Sequence, residues 1–305
     1  MKRATVSANT PATLRQASSV ERDEIAVVDR TIDQSRPRKG RYISIPDVDA
    51  DTTTTSGGGG GGGSSGSSTT TDGAVRVRKN QCELTSVEWD RLVEAMKCLK
   101  KDKGSRNWDY FTDLHAKYGN HDGNHDLPHH DGDDLTIHSP IYWLPWHRKF
   151  ILEFEERLRD FDSSIEIPYW DWTRFREIPK SFRAKVGGWM HVSRAVFHNG
   201  DKLPTVAELN RAKSASDFTT FDNVMLDLHA SVHNWVGGDM ANPAKSPDDP
   251  LFFLHHGFID KVWADWQASH DPSLFPSDYL GMAMPPWADK VEDVISTSIL
   301  GYEFG

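Results

Sequence analysis

The chain has little cysteine, an excess of acidic over basic residues and no long apolar run. Only two of its 305 residues are Cys, too few for a disulfide scaffold or for a metal site built from thiolates. Lys and Arg number 35 against 45 Asp and Glu, a formal charge of −10, which argues against nucleic acid or a membrane as a partner. No apolar run is long enough for a membrane span, and no secretory signal precedes the folded part, which favours a cytoplasmic location.

Aromatic residues are almost missing from the first quarter of the chain. Residues 1–75 contain a single aromatic, Tyr42, although the whole chain contains 14 Phe, 11 Trp and 7 Tyr. After Asp51, residues 52–71 are only Gly, Ser and Thr, a composition typical of a flexible linker. We therefore predict a disordered tail over 1–74 and one folded, aromatic-rich domain over 75–305.

Apolar spacing in the folded part predicts a mainly α protein with a bundle core. Apolar residues recur at helical intervals in five segments, of which one opens at Pro145 and another at Pro250. The predicted helices are 86–101, 107–118, 146–161, 221–235 and 250–269. Strand signals are short and occur only near 75–78 and 165–170.

The 14 His residues are the feature that the composition leaves unexplained. His229 and His233 lie four residues apart, a spacing that stacks both rings on one face of a helix and allows them to share a metal. Ala230 stands where a zinc protease would need Glu, so a metalloprotease is excluded. His138 lies in a loop interrupted by proline and His147 in the helix that follows, an arrangement that can bring two ligands together.

The pair His255 and His256 lies inside an apolar helix, and its periodicity does not decide which ring faces the other histidines. A single His among apolar residues is more often a hydrogen-bonded core residue than a ligand. Several imidazoles on apolar helix faces, however, need something to compensate their desolvation. Because carboxylates are scarce around them, the pattern favours copper, zinc or nickel over magnesium, calcium or a carboxylate-bridged iron pair.

Four sequence motifs resemble those of bacterial-type tyrosinases, members of the type 3 copper proteins that also include catechol oxidases and hemocyanins. The match runs from about Val75 to the end of the chain. The motifs are Leu144-Pro-Trp-His-Arg-Lys-Phe-Ile-Leu-Glu-Phe-Glu155, Ile167-Pro-Tyr-Trp-Asp-Trp172, His233-Asn-Trp-Val-Gly-Gly-Asp-Met240 and Asp249-Pro-Leu-Phe-Phe-Leu-His-His-Gly-Phe-Ile-Asp-Lys-Val-Trp263.

The resemblance implies a tyrosinase-like dicopper catalytic domain over 75–305, built on a four-helix bundle that holds two copper ions with three His each. It places His256, not His255, on the second copper, and leaves His255 as a residue behind the ligands or a packing residue. Alternatives to His115 exist in the loop 119–134, namely His121, His125, His129 and His130. The implied ligands are His115, His138 and His147 for the first copper and His229, His233 and His256 for the second.

The implied reaction is oxidation of o-diphenols or o-aminophenols to o-quinones by dioxygen, with possible ortho-hydroxylation of monophenols. Many tyrosinases carry Asn directly after the first ligand of the second copper, where this chain has Ala230, which weakens the expectation of monophenol hydroxylation. Asp222 is a candidate for the acidic partner of that Asn, or simply a charge near a helix amino terminus. Asn234 is expected at the substrate entrance, and Trp143 over the first copper, for packing or for shielding.

Two other functions fit parts of the pattern. A hemocyanin-like dioxygen carrier would use the same site without efficient catalysis, and a hydrolytic dinuclear zinc protein is disfavoured by the scarcity of carboxylates. Small phenolic substrates and a copper-delivery helper protein are the expected partners. We further predict that Arg148 and Asp260 form a buried ion pair between the two copper helices. Cys82 and Cys98 are expected as free buried thiols, with one disulfide as the alternative.

Overall fold

The structure is a computed structural model, and it describes residues 75–119, 127–130, 133–183, 191–196 and 202–305. The predicted tail 1–74, most of the loop 119–134 with His121 and His125, and His198 lie outside the described residues, as does the side chain of His129. Every described residue belongs to one compact unit, Ser68–Gly305.

The described residues form a mainly α domain, as the sequence predicts. All five predicted helices are present, and four short helices accompany them. In chain order the helices are α1 Ser86–Lys101, α2 Trp108–Gly119, α3 Trp143–Arg159, α4 Lys180–Arg183, α5 Val206–Lys213, α6 Phe218–Val236, α7 Leu251–Ser269, α8 Ser277–Leu280 and α9 Val291–Val294. None of the described helices is long and apolar enough to cross a membrane.

Side-chain caps fix where several helices begin. The Thr85 side chain accepts a hydrogen bond from the Glu88 backbone N–H, and the Glu88 carboxylate accepts one from the Thr85 backbone N–H. This capping box starts α1 where the sequence predicts. Asp217 caps α6 in the same position. The predicted start of α3 is wrong, because the helix begins at Trp143 and Pro145 is its third residue. Proline is tolerated there because the first backbone N–H groups of a helix have no partner within it.

Two small sheets complete the described fold. Strand β1 (Arg76–Arg78) pairs in parallel with β4 (Tyr302–Phe304), and β2 (His129–His130) pairs antiparallel with β3 (Asp133–Asp134). The strand predicted near 165–170 is wrong, since only an isolated bridge between Asn80 and Tyr169 forms there. Strand β4 has no sequence signal of its own, and it exists because the two ends of the domain meet.

An apolar core surrounds α3 and α7, the two central helices. The rings of Phe154 and Phe253 stack across these helices, and Trp108 from α2 packs edge-on against both. Phe221 of α6 stacks on Trp266 of α7. Helices α2, α3, α6 and α7 therefore form the bundle, and each of them carries histidines toward its interior.

A cluster of buried charges joins the central helices to both ends of the domain. Arg148 of α3 donates from Nε to Asp260 Oδ1 of α7 at 2.6 Å, which confirms the predicted buried ion pair. Arg78 of β1 pairs with both Glu155 and Asp260, at 2.8 and 3.1 Å. Tyr302 of β4 donates its hydroxyl hydrogen to Asp260 at 2.5 Å, and burial raises the pKa of this phenol.

Both cysteines are free and exposed. The prediction of free thiols is confirmed, whereas their predicted burial is wrong, because each lies on the outer surface at the start or the end of the α1 region. The alternative of one disulfide is excluded by the same finding.

Asp260→Asn should destabilise the domain strongly, because it removes one charge of a buried cluster and leaves two arginines partly uncompensated. We expect a loss of about 3–5 kcal/mol in the free energy of unfolding, measured by denaturant titration. Asp265→Asn on the same helix is the matched control, since its pairs with Lys213 and Lys261 are partly exposed and should be worth about 1 kcal/mol or less. Equal losses in the two variants would contradict the assigned role of the cluster.

Candidate metal centre

His115, His138 and His147 form the first group of histidines at the bundle interior. His115 comes from α2, His147 from α3 and His138 from the segment before α3. One ring nitrogen of each lies within 4.8 Å of one nitrogen of the others. Of the four loop histidines that could replace His115, His121 and His125 lie outside the described residues. His130 is elsewhere, hydrogen-bonded to Asp278 at 2.7 Å.

Backbone carbonyls fix the protons of two of these imidazoles. His115 Nδ1 lies 2.8 Å from the Pro243 carbonyl oxygen and His147 Nδ1 lies 2.8 Å from that of Trp143. A carbonyl can only accept, so in the neutral ring the proton is on Nδ1 and the lone pair on Nε2. The two Nε2 atoms face each other at 3.2 Å, and their lone pairs repel unless a cation lies between them.

His229, His233, His255 and His256 form the second group, with the first two on α6 and the last two on α7. His233 donates from Nδ1 to the Met240 carbonyl at 2.7 Å, and its Nε2 faces His256 Nε2 at 3.3 Å. Gly237, with φ of 65°, ends α6 and turns the chain back so that Met240 reaches the ring. Both nitrogens of His229 and Nδ1 of His256 are buried with no hydrogen-bond partner among the described residues.

His255 differs from the rest of the second group because its lone pair is already used. Trp172 donates its indole N–H to His255 Nδ1 at 3.1 Å. The neutral ring must then carry its proton on Nε2, which leaves no nitrogen free to bind a metal. The geometry thus supports His256 as the ligand and His255 as a residue that packs behind it.

Burial keeps these imidazoles neutral. Desolvation is the largest cause that lowers the pKa of His115, His147, His229 and His256 well below the ordinary value, and neighbouring histidines lower it further. Desolvation also lowers the pKa of His233 to about 4, against the opposing hydrogen bond to Met240. Neutral imidazole is the form that coordinates a metal, so these five imidazoles are already in that form at neutral pH.

The two groups lie side by side. The ring of His147 stacks on that of His256 with centroids 4.4 Å apart and an interplanar angle of 11°. Phe252, one turn before His256, packs against the rings of both groups, at 4.1 Å from His256 and 5.1 Å from His115. A single benzyl side chain therefore closes the apolar base of both groups.

The remaining predicted site residues occupy different surroundings. Trp143 is fully buried, and its ring lies closer to His229 of the second group, at 4.9 Å, than to His147 of the first, at 6.1 Å. Asp222 is also fully buried, on α6. Ala230 is half-buried and Asn234 is exposed, and each directly follows a histidine of the second group on α6.

Several residues that shape the site were not predicted from the sequence. Pro243 and Met240 act through backbone carbonyls, which carry no sequence signal, and both belong to the same short loop after α6. Trp172 acts through its indole N–H, which selects the proton position on His255. Phe252 could have been found, because it shares a helix face with His256.

The donor set fits a pair of copper ions. Within the described residues, the two groups consist only of histidines. The facing lone pairs of His115 and His147 need a cation, and the buried nitrogens of His229 and His256 without hydrogen-bond partners among the described residues are free to bind one. Neutral imidazoles without carboxylates suit copper better than hard ions such as magnesium or calcium.

Comparison with known proteins relates the chain to tyrosinases and hemocyanins. The family model described as the common central domain of tyrosinase matches residues 105–193 and 193–269. The tyrosinase of Streptomyces antibioticus is 31% identical over 280 residues, which cover 75% of this chain and 98% of the relative. Unit G of the hemocyanin beta-C chain of Helix pomatia is 30% identical over 218 residues, which cover 64% of this chain and 52% of the relative.

Among solved structures, the polyphenol oxidase of Grenache (Vitis vinifera) superimposes with a TM-score of 0.63 at 19% identity, over 76% of this chain and 85% of the other. This likeness shows the shared fold. The matched family model and the Streptomyces relative together establish that the chain belongs to the tyrosinase family of type 3 dicopper proteins.

Proposed function

We propose that the protein is a copper-dependent oxidase of the catechol oxidase and tyrosinase kind, which uses dioxygen to oxidise o-diphenols or o-aminophenols to o-quinones. The observation that carries the proposal is the pair of facing imidazole nitrogens in each histidine group, at 3.2 and 3.3 Å. Six residues would hold the two coppers: His115, His138, His147, His229, His233 and His256. When bound, the coppers supply the redox chemistry with dioxygen, and no protein nucleophile is needed.

The chain's own residues orient the ligands and exclude water. Three backbone carbonyl oxygens each fix the orientation of one imidazole ring. Pro243 holds His115, Trp143 holds His147 and Met240 holds His233. Phe252 and the surrounding aromatic core keep water from the base of the site. His138 and His233 are only partly buried, so a flat phenolic ring would approach at their exposed edges, near the part of α6 that carries Ala230 and Asn234.

Diphenols should be better substrates than monophenols. A monophenol must lose its proton before it can be hydroxylated, and the methyl group of Ala230 cannot hold a water molecule that would take that proton. Asp222 does not supply the missing base, because its carboxylate is fully buried and accepts the backbone N–H of Ile141 at 2.7 Å. A catechol already carries both hydroxyl groups, so its oxidation to an o-quinone does not depend on this hydroxylation step.

Dioxygen carriage is the second candidate, and the Helix pomatia hemocyanin relative is the observation that favours it. Carriage and catalysis use the same ligands and differ in access to the site. The partly buried edges of His138 and His233 favour an accessible site and hence catalysis. A hydrolytic zinc site is less well supported, because the described histidine groups include no carboxylate.

A copper-delivery helper protein is part of the proposal. His115, His147 and His256 are only 1–2% exposed, so copper must pass partly buried rings before it reaches them. A protein that releases the ion next to the partly buried rings of His138 and His233 would bring it directly to the site.

Removing a ligand should lower the copper content of the chain, whereas removing its neighbour should not. We expect His256→Ala to bind about one copper where the unaltered chain binds about two, because the facing pair with His233 is broken. His255→Ala is the matched control and should keep the full copper content. In the unaltered chain His255 Nδ1 accepts the Trp172 N–H and Nε2 carries the proton, so neither nitrogen is free to bind copper. Elemental analysis after dialysis measures both, and loss of copper from His255→Ala alone would reverse the ligand assignment.

The substrate preference is tested by oxygen consumption with catechol, o-aminophenol and tyrosine in parallel. We expect turnover of catechol well above that of tyrosine, and no turnover of any of them would favour dioxygen carriage.

Ala230→Asn should raise tyrosine turnover relative to catechol by about tenfold, the effect of a hydrogen bond worth about 1.4 kcal/mol in the transition state. Ser231→Asn, the adjacent position of α6, is the matched control and should leave the ratio unchanged. An unchanged ratio in Ala230→Asn would show that this position does not limit monophenol hydroxylation.

A further inference from the structure

Asp222 is a fully buried carboxylate to which no basic residue is paired within the described parts of the chain. It lies in the first half of α6, two turns before His229. Burial is the largest cause that raises its pKa to about 7, while the hydrogen bond from Ile141 and the nearby indole N–H of Trp143 oppose the rise. An isolated carboxyl group in the core is costly, so its surroundings should show what it does.

The stronger hydrogen bond joins Asp222 to a strained residue. Ile141 has φ of 71°, and it is the one non-glycine residue with positive φ in the parts of the chain that the structure describes. For a β-branched side chain this conformation is an outlier that costs about 1–3 kcal/mol and persists only when the surroundings impose it. The Ile141 N–H donates to Asp222 Oδ2 at 2.7 Å, so the buried carboxylate holds the strained residue directly by its backbone.

The strained residue lies between two proposed ligands of the first copper. Ile141 follows His138 by three residues, and α3 with His147 begins two residues later. The left-handed turn at Ile141 thus sets the direction in which the chain leaves His138 and enters α3. Asp222 holds this turn from α6, the helix that carries His229 and His233.

Trp143, the first residue of α3, belongs to the same arrangement. Its carbonyl accepts the Nδ1 proton of His147 at 2.8 Å, and its ring lies 4.9 Å from that of His229. Its indole Nε1 and Asp222 Oδ1 are both buried without a complete hydrogen bond, although the indole is near enough to lower the Asp222 pKa. A displacement of Trp143 would therefore disturb one imidazole of each group.

We propose that Asp222 is a positioning residue that holds the strained turn at Ile141 and thereby keeps the two histidine groups in the mutual arrangement that binds both coppers. The proposal rests on the proposed function only in taking the two groups to be copper ligands. What Asp222 contributes is an acceptor for the Ile141 N–H, and an amide oxygen can replace it.

The test is a mutant cycle between Asp222 and Ile141 in the full-length, copper-loaded chain. Copper retained per chain is measured against increasing concentrations of a chelator, at a temperature well below unfolding. We expect Asp222→Ala to lose copper at a chelator concentration at least about tenfold lower than the unaltered chain, as for loss of one charge-assisted hydrogen bond. Asp222→Asn should stay within about threefold of the unaltered chain, because its amide oxygen still accepts.

The double variant separates positioning from general destabilisation. Ile141→Gly removes the strain, since glycine adopts positive φ without steric cost. The variant D222A/I141G should therefore retain copper better than D222A by several-fold. A merely structural role for Asp222 would make the double variant no better than D222A, since I141G adds a flexible residue.

Asp227→Ala is the matched control, an exposed carboxylate of the same helix, and should behave as the unaltered chain. If D222A does not fold, D222S replaces it, with the same two comparisons. The proposal is overturned if D222A retains copper as well as D227A does, or if I141G gives no recovery. Catechol oxidation by the unaltered chain is measured separately, so that failure of the proposed activity leaves the copper-retention result interpretable.

Discussion

The structure depends on one constraint, the facing lone pairs of neutral imidazoles in a buried space. The Nε2 atoms of His115 and His147 lie 3.2 Å apart, and neither ring can turn its proton toward the other without giving up a backbone acceptor. His233, whose Nε2 lies 3.3 Å from that of His256, is held in the same way by the Met240 carbonyl. A bound cation satisfies both lone pairs at once. The histidines, the carbonyls behind them and the aromatic base therefore form one unit.

The fold separates this neutral unit from its charged residues. His147 and Arg148 are adjacent on α3, and His256 lies one turn from Asp260 on α7. The imidazoles face the metal centre, whereas the Arg148–Asp260 pair, extended by Arg78 and Tyr302, joins the same helices to the ends of the domain. Charge thus stabilises the framework without entering the site, where it would change the protonation of the ligands.

The helices and the ligand types could be predicted from the sequence, because both depend on local spacing. Apolar periodicity located all five long helices, and the motifs identified the family. Three features could not be predicted in this way. Strand β4 forms through pairing with a strand more than 200 residues earlier, the carbonyls of Met240 and Pro243 belong to backbone that any residue supplies, and the left-handed turn at Ile141 contradicts the preference of its own side chain.

The short loop after α6 supports one histidine at each of the two metal positions. Met240 supplies the acceptor for His233 and Pro243, three residues later, the acceptor for His115. An ion that orders one of these rings also orders the loop that supports the other, so the entropic cost of ordering the loop is met only once. Thermodynamic linkage then requires each ion to raise the affinity for the other by the same factor. The two ions should therefore bind with positive cooperativity, and singly occupied chains should be scarce at equilibrium.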